Sequence, residues 1–263
     1  MPIMSRSDVT NLDAIARRML ADYDAATPGT IFAEGLRLDI PDAWRLQSAV
    51  TRLREQRGET VVGYKIGCVG EGNQKMMGLS HPAWGRLWST EQYADGAELK
   101  KANYANVALE AEFAVTVNRA INPGKVSADK MMSAIDAIYP VIEIHNLKLR
   151  SEKPHGHELL ANNAIHAGVV RGPAMPVPEP GQKTDLSLTF DGETVDSWSS
   201  LQWPGDILSA IGWLAEQQAK AGRQLVKGDL ILTGAFGPPI PLGDKTRVDV
   251  TSSAFGNVSA TFV

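Results

Sequence analysis

A single cysteine, Cys68, stands in a chain of 263 residues, so no internal disulfide can form and a reducing compartment is expected. No run of about eighteen apolar residues occurs, which removes a membrane-spanning helix. The opening Met1 to Asp13 lacks the apolar segment of a secretory leader, and a cytoplasmic location follows as the expectation. Basic charge is in deficit: 26 Lys and Arg against 30 Asp and Glu leave a net charge of −4. A nucleic-acid binder gains affinity from a basic stripe that releases counterions, and none is present. Also missing are a G-x-G-x-x-G, a P-loop and a G-x-S-x-G elbow, so nucleotide binding and serine hydrolysis have no anchor. Internal repeats and low-complexity tracts are absent as well.

What is present is an ordinary globular balance, 43% hydrophobic and 21% charged, in a chain long enough to bury a core without staples. Leu12, Ile15, Met19 and Tyr23 recur at helical spacing up to a breaker at Thr27-Pro28-Gly29. Pro41 suits a first helical position, and Ala43, Leu46, Val50 and Leu53 continue an apolar stripe to Gly58. A small helical N-terminal region over 1–58 is therefore expected, followed from 59 to 263 by a core of short strands. Two helices interrupt that core, from about Ser127 to Tyr139 and from about Asp206 to Ala221, with Ser127 as an N-cap and Gly222 as a stop. Gly172-Pro173 to Gly181 reads as an exposed connection, and Leu186 to Phe190 before Asp191-Gly192 as half of a hairpin. Sheet mixed with a few helices, without regular βαβ alternation, gives an α+β class.

The chemistry concentrates in two alternating runs. From Leu109 to Val117, strand alternation sends Glu110, Glu112 and Ala114 to one face and apolar residues to the other. Pro140-Val141-Ile142-Glu143-Ile144-His145 carries a third carboxylate among strong strand formers. An isolated E-x-E is most commonly a pair of solvent-facing charges. Glu143, however, lies in a run too apolar for a surface strand, and burying it without a partner would be expensive. Three convergent carboxylates resist ionising together unless a cation or a proton neutralises them. An all-oxygen set suits Mg²⁺ or Mn²⁺, or Ca²⁺, and lacks the Cys or His that zinc usually takes.

Gly63-Tyr64-Lys65-Ile66-Gly67 places a lysine inside an apolar strand, where it needs a negative neighbour. Beside the carboxylates it would balance a metal site and could anchor an anionic substrate or move a proton; its plainer use is a structural salt bridge. His145 shares strand parity with Glu143, more as a hydrogen-bonded neighbour than as a ligand. His155 and His157 fall in a loop, and His166 in the core or behind the carboxylates. His81, next to Pro82, is the loop candidate for acid–base work. Cys68 reads as a small hydrophobe, and Met76, Met77, Trp84 and Trp88 as packing.

Taken together, G-Y-K-I-G at Gly63 to Gly67, Asn73 to Leu79 with Pro82, E-A-E-F at Glu110 to Phe113, Pro140 to Ile144, Leu160 to Ala164, Trp213 to Ala215, Leu225 to Gly234, Gly243-Asp244 and Gly256 to Ser259 form a collinear set. It resembles the 2-oxopent-4-enoate hydratase and 4-oxalocrotonate decarboxylase family of the fumarylacetoacetase-like superfamily. The resemblance implies a mixed β-roll with surrounding helices, assembled into homo-oligomers. It gives Glu110, Glu112 and Glu143 the positions of Mg²⁺ or Mn²⁺ ligands and Lys65 that of the active-site lysine; His81 stays a catalytic candidate on its loop position alone. Leu79 and Thr233 fall at substrate-binding positions. Two motifs depart from the pattern: Ser80-His81-Pro82 replaces an acidic residue before the proline, and Asn162-Asn163-Ala164-Ile165 stands where D-N-A-S is frequent.

The implied activity is hydration of a 2-hydroxy-2,4-dienoate in aromatic-compound catabolism. The alternatives are a decarboxylase of the 4-oxalocrotonate type, hydrolysis of a C–C bond in an acylpyruvate, and a catalytically silent binding protein on the same fold. All three reactions pass through an enolate of a 2-oxo acid. The expected partners are that small acid, further copies of the chain and an enzyme of the same pathway, with no nucleic acid and no membrane.

Overall fold

The computed structural model describes residues 12–124 and 126–263; most of the opening stretch read above as lacking a leader, up to residue 11, lies outside them. Among the described residues the helices are α1 (Leu12–Asp24), α2 (Ile40–Gln56), α3 (Glu71–Met77), α4 (Ala128–Met132), α5 (Gly156–Ala161) and α6 (Ile207–Lys220). None is long and apolar enough to cross a membrane. The strands are β1 (Val61–Gly67), β2 (Ala83–Trp88), β3 (Gln92–Ala94), β4 (Ala97–Leu99), β5 (Val107–Val117), β6 (Ile135–Asn146), β7 (His166–Arg171), β8 (Lys183–Phe190), β9 (Glu193–Gln202), β10 (Leu230–Leu232), β11 (Ile240–Pro241), β12 (Arg247–Ser252) and β13 (Gly256–Phe262).

Helix α2 starts where its sequence asks it to. Asp39 is the N-cap and its side chain accepts the Asp42 N–H at 2.7 Å, with Pro41 in the first turn. The buried stripes of α1 and α2, with Ala16, Met19 and Leu46, share one apolar cluster with Leu79 and with Leu159 and Leu160 of α5. The N-terminal helices thus pack directly on the core.

The first sheet runs β2-β1-β10-β5-β6-β7-β3, with β11 added beside β5. It is mixed, since β1/β10 and β3/β7 are parallel pairs while the others are antiparallel. β2 at one end comes back against β7, so the sheet curls toward a barrel. The second sheet, β4-β13-β12-β8-β9, packs on its outer surface, where Leu109 and Phe113 of β5 meet Leu188 and Val250. The β8–β9 hairpin turns at Asp191-Gly192 with positive φ at both residues, the geometry of a tight hairpin.

One expected element differs. The helix anticipated from Ser127 to Tyr139 ends at Met132, and strand β6 begins at Ile135. Ser127 is the N-cap, but Ile135 to Tyr139 pair with β5 from Val117 to Ala114. An eleven-residue strand buried throughout its length needs a partner for every backbone group, and that demand overrides the helical spacing.

Candidate metal centre

Register brings the carboxylates together. Glu110 lies directly opposite Glu143 in the β5/β6 ladder, with Ala108 opposite His145 and Glu112 opposite Val141. Paired residues point to the same side of a sheet, so Glu110, Glu112, Glu143 and His145 all face the inside of the curl. Lys65 joins them from β1: it pairs with Leu232, which pairs with Ala114 on that same face. Ala114, Val141, Val169 and Leu232 make the apolar ground on which the polar cluster sits.

The cluster is almost dry, with Glu112 and Glu143 at 0% exposure and Glu110 at 9%. The Lys65 ammonium is 3.3 Å from Glu143 Oε1. His166 Nδ1 contacts the same oxygen at 2.7 Å, and His145 Nε2 lies 2.9 Å from Glu110 Oε2 and 3.5 Å from Glu143 Oε2. The backbone N–H of Gly234 donates to Glu112 Oε2 at 3.1 Å. Burial acts against every charge here, yet the outcomes diverge. For Lys65, burial is the strongest influence and pulls the pKa down; Glu143, Glu110 and Glu112 together reverse it, so the amine stays charged well into alkaline solution. Burial also raises Glu143, but Lys65, His145 and His166 hold it well below the usual carboxylate range. Glu112 is raised by burial and by repulsion from Glu143 and Glu110, so it takes up a proton more readily than an ordinary carboxyl.

A divalent cation fits this donor set. Ligand atoms of Glu110, Glu143 and His145 lie within 4.8 Å of one another, and Glu112 faces the same side of β5 as Glu110. Glu112 Oε1 and Glu143 Oε2 are buried acceptors without a hydrogen-bond partner, the need that a cation meets. Three carboxylates, one ammonium and one divalent ion also sum to zero charge.

The other anticipated residues separate. Thr233 lines a cleft of about 740 Å³ together with Gly234, Phe113 and Val69, and its hydroxyl donates to the Phe113 carbonyl at 2.9 Å. His81 is stacked between the rings of Trp44 and Trp213 at 6.4 and 6.3 Å, with Nδ1 2.7 Å from its neighbour's carbonyl. Leu79 is buried in the cluster beneath the N-terminal helices, away from the cleft. Cys68 is half-buried with its thiol pushed up by burial. His166, expected in the core or behind the carboxylates, lies behind Glu143, and His145 shares the carboxylates' face as its parity implied. The structure adds the Gly234 N–H, a backbone donor that no local signal marks. Asn163, in the departing motif, bonds β2 instead: its Oδ1 accepts the Arg86 N–H at 2.7 Å and its Nδ2 donates to the Arg86 carbonyl at 2.9 Å.

The chain is similar to known proteins in sequence and in fold. The model of the fumarylacetoacetate hydrolase C-terminal family matches residues 89–263. A 2-keto-4-pentenoate hydratase from Burkholderia vietnamiensis is 29% identical over 222 residues, 84% of this chain and 85% of that protein. The TodF product hydratase of Pseudomonas putida is 27% identical over 265 residues, covering 98% of this chain and 99% of its own. Among solved structures, 4-oxalocrotonate decarboxylase from Pseudomonas putida G7, complexed with calcium and acetate, superposes with a TM-score of 0.85 at 22% identity over 99% of both chains.

Proposed function

The chain belongs to the fumarylacetoacetate hydrolase C-terminal family, and from that membership we propose that it is a metal-dependent hydratase of 2-hydroxy-2,4-dienoates, holding Mg²⁺ or Mn²⁺ through Glu110, Glu112 and Glu143. The observation that carries the reading is the meeting of these carboxylates with Lys65 beside the cleft lined by Thr233 and Gly234. A bound divalent cation supplies Lewis-acid polarisation of the 2-oxo group.

The side chains supply the rest. Lys65, kept charged by its three acidic neighbours, offsets a substrate carboxylate and can hand a proton to the terminal carbon as the dienol becomes a conjugated enone. Water then adds across the C3–C4 double bond of that enone, its hydroxyl to C4 and its proton to C3, giving a 4-hydroxy-2-oxo acid. His166 and His145 hold Glu143 and Glu110 in place. Gly234 holds Glu112 in place through its backbone N–H. Homo-oligomeric assembly, a cytoplasmic location and work alongside an enzyme of the same pathway complete the proposal.

The test is the full chain with Mg²⁺ or Mn²⁺ and 2-hydroxypenta-2,4-dienoate, followed by loss of ultraviolet absorbance with product identification. Formation of 4-hydroxy-2-oxopentanoate is the expected result. Release of CO₂ from an oxalocrotonate-type acid with no hydration would assign the decarboxylase reaction instead, and acylpyruvate cleavage the hydrolase.

A further inference from the structure

The cleft beside the carboxylates has a wall of one character. Phe113 packs edge-to-face on Phe255 at 5.2 Å and on Phe236 at 6.3 Å, and Phe255 meets Trp203 at 6.3 Å. Trp213 of α6 adds a further aromatic surface to the same cleft. Rings locked against one another in this way keep their shape without a ligand. The segment Thr233-Gly234-Ala235-Phe236 lines the cleft throughout, from the Gly234 N–H on Glu112 to Phe236, which is 46% exposed. It joins the Gly234 N–H on Glu112 to the exposed ring of Phe236.

Charge is nearly absent there. Among the described residues no lysine or arginine lines the cleft, and Asp206 is the single ionisable residue lining it. The volume, about 740 Å³, is on the scale of sites for drug-sized ligands, whereas a five-carbon dienoate has only about eight non-hydrogen atoms.

Resting on the hydratase reading, we propose that the substrate is a monocarboxylate whose distal end bears a bulky apolar group, aryl or branched alkyl, seated against Phe113, Phe236, Phe255 and Trp213. The 2-oxo acid end goes to Lys65 and the glutamates, which the Gly234 N–H on Glu112 joins to the cleft. A second carboxylate at the other end would lose its water against aromatic faces with no cation to receive it and with Asp206 to repel it. A dicarboxylate of the oxalocrotonate type is therefore the disfavoured substrate.

Two series on the full-length protein with Mg²⁺ decide this. The first compares kcat/KM for 2-hydroxypenta-2,4-dienoate and its analogues bearing phenyl or carboxylate at the terminal carbon. Phenyl is expected to exceed the parent by about 10-fold and the carboxylate by at least about 100-fold, the scale of a filled apolar pocket and of an unpaired buried charge. The second measures binding of unreactive acids by calorimetry, 4-phenyl-2-oxobutanoate against 2-oxoadipate, with the phenyl acid expected at least 10-fold tighter. Phe236→Arg, at an exposed position, should invert both preferences without unfolding the protein. Equal or better use and binding of the dicarboxylates by the unmodified protein would overturn the proposal. If no dienoate turns over, the hydratase reading fails, while the binding series still decides the nature of the distal site.

Discussion

Lys65 is 4% exposed, yet three carboxylates hold it protonated, which makes it a stored cation in a dry place. If it acts in the reaction and not only in charge balance, Lys65→Met should lower kcat and kcat/KM together by about 10²-fold or more in protein that still folds by circular dichroism. A rise confined to KM would make it a carboxylate anchor, and unchanged kinetics on a turned-over substrate would leave it a structural ion-pair partner. Lys148 shows the opposite outcome of burial. It is 8% exposed over the Tyr23 ring, and burial, outweighing Asp22 and Glu158, lowers its pKa to about 8. Between about pH 8 and the ordinary lysine value the unfolded chain keeps a proton that the folded protein has released, so this group's contribution to stability rises with pH across that window and is least favourable below it. Lys148→Met should accordingly gain stability over wild type near pH 7, by up to about 3 kcal/mol, and the gain should fade by about pH 10.5 in urea melts.

Strand β1 carries Lys65 to its place only because Gly63 lets it approach β10. A Cβ at Gly63 would stand 1.9 Å from the Leu230 carbonyl oxygen, and this contact is with backbone that cannot step aside. Gly63→Ala should therefore fail to give a folded protein by circular dichroism. Gly72→Ala, in α3 where nothing lies within 4 Å, should stay within about 1 kcal/mol of wild type. The same scale explains the helix that stopped at Met132. The stretch after Ser127 has local helical character, but Ile135 onward completes the ladder of β5, and β5 holds two of the three glutamates.

Across the molecule, the polar cluster ties β1, β5 and β6 to one point through Lys65, Glu110, Glu112 and Glu143. A cation bound there and not by the unfolded chain stabilises the whole fold, by about 2.7 kcal/mol at a hundredfold excess over Kd. For a chain of this size that is a rise in Tm of about 5–10 °C on adding Mn²⁺ or Mg²⁺ to chelator-treated protein. Glu110→Ala and Glu143→Ala should abolish the shift in scanning fluorimetry and the binding heat in calorimetry. A full shift in both variants would exclude these residues as ligands.

Much of this was legible in one dimension. Alternation in Leu109 to Val117 and in Pro140 to His145 defined the faces of β5 and β6, because a strand has a period of two whatever surrounds it. Pro41 and Asp191-Gly192 announced a helix start and a turn, because helix starts and tight turns are satisfied within a few residues. An apolar run around Glu143 and Lys65 declared that both were buried, since their neighbours could not be left in water. Only the tertiary structure decided the rest. Which residue of β6 opposes Glu110, the approach of His166 to Glu143 and of Gly234 to Glu112, the exclusion of Leu79 from the cleft and the aromatic wall built from β5, α6 and the loops around Trp203, Phe236 and Phe255 are all contacts between residues far apart in the chain. Their energies depend on register and packing, which no local pattern encodes.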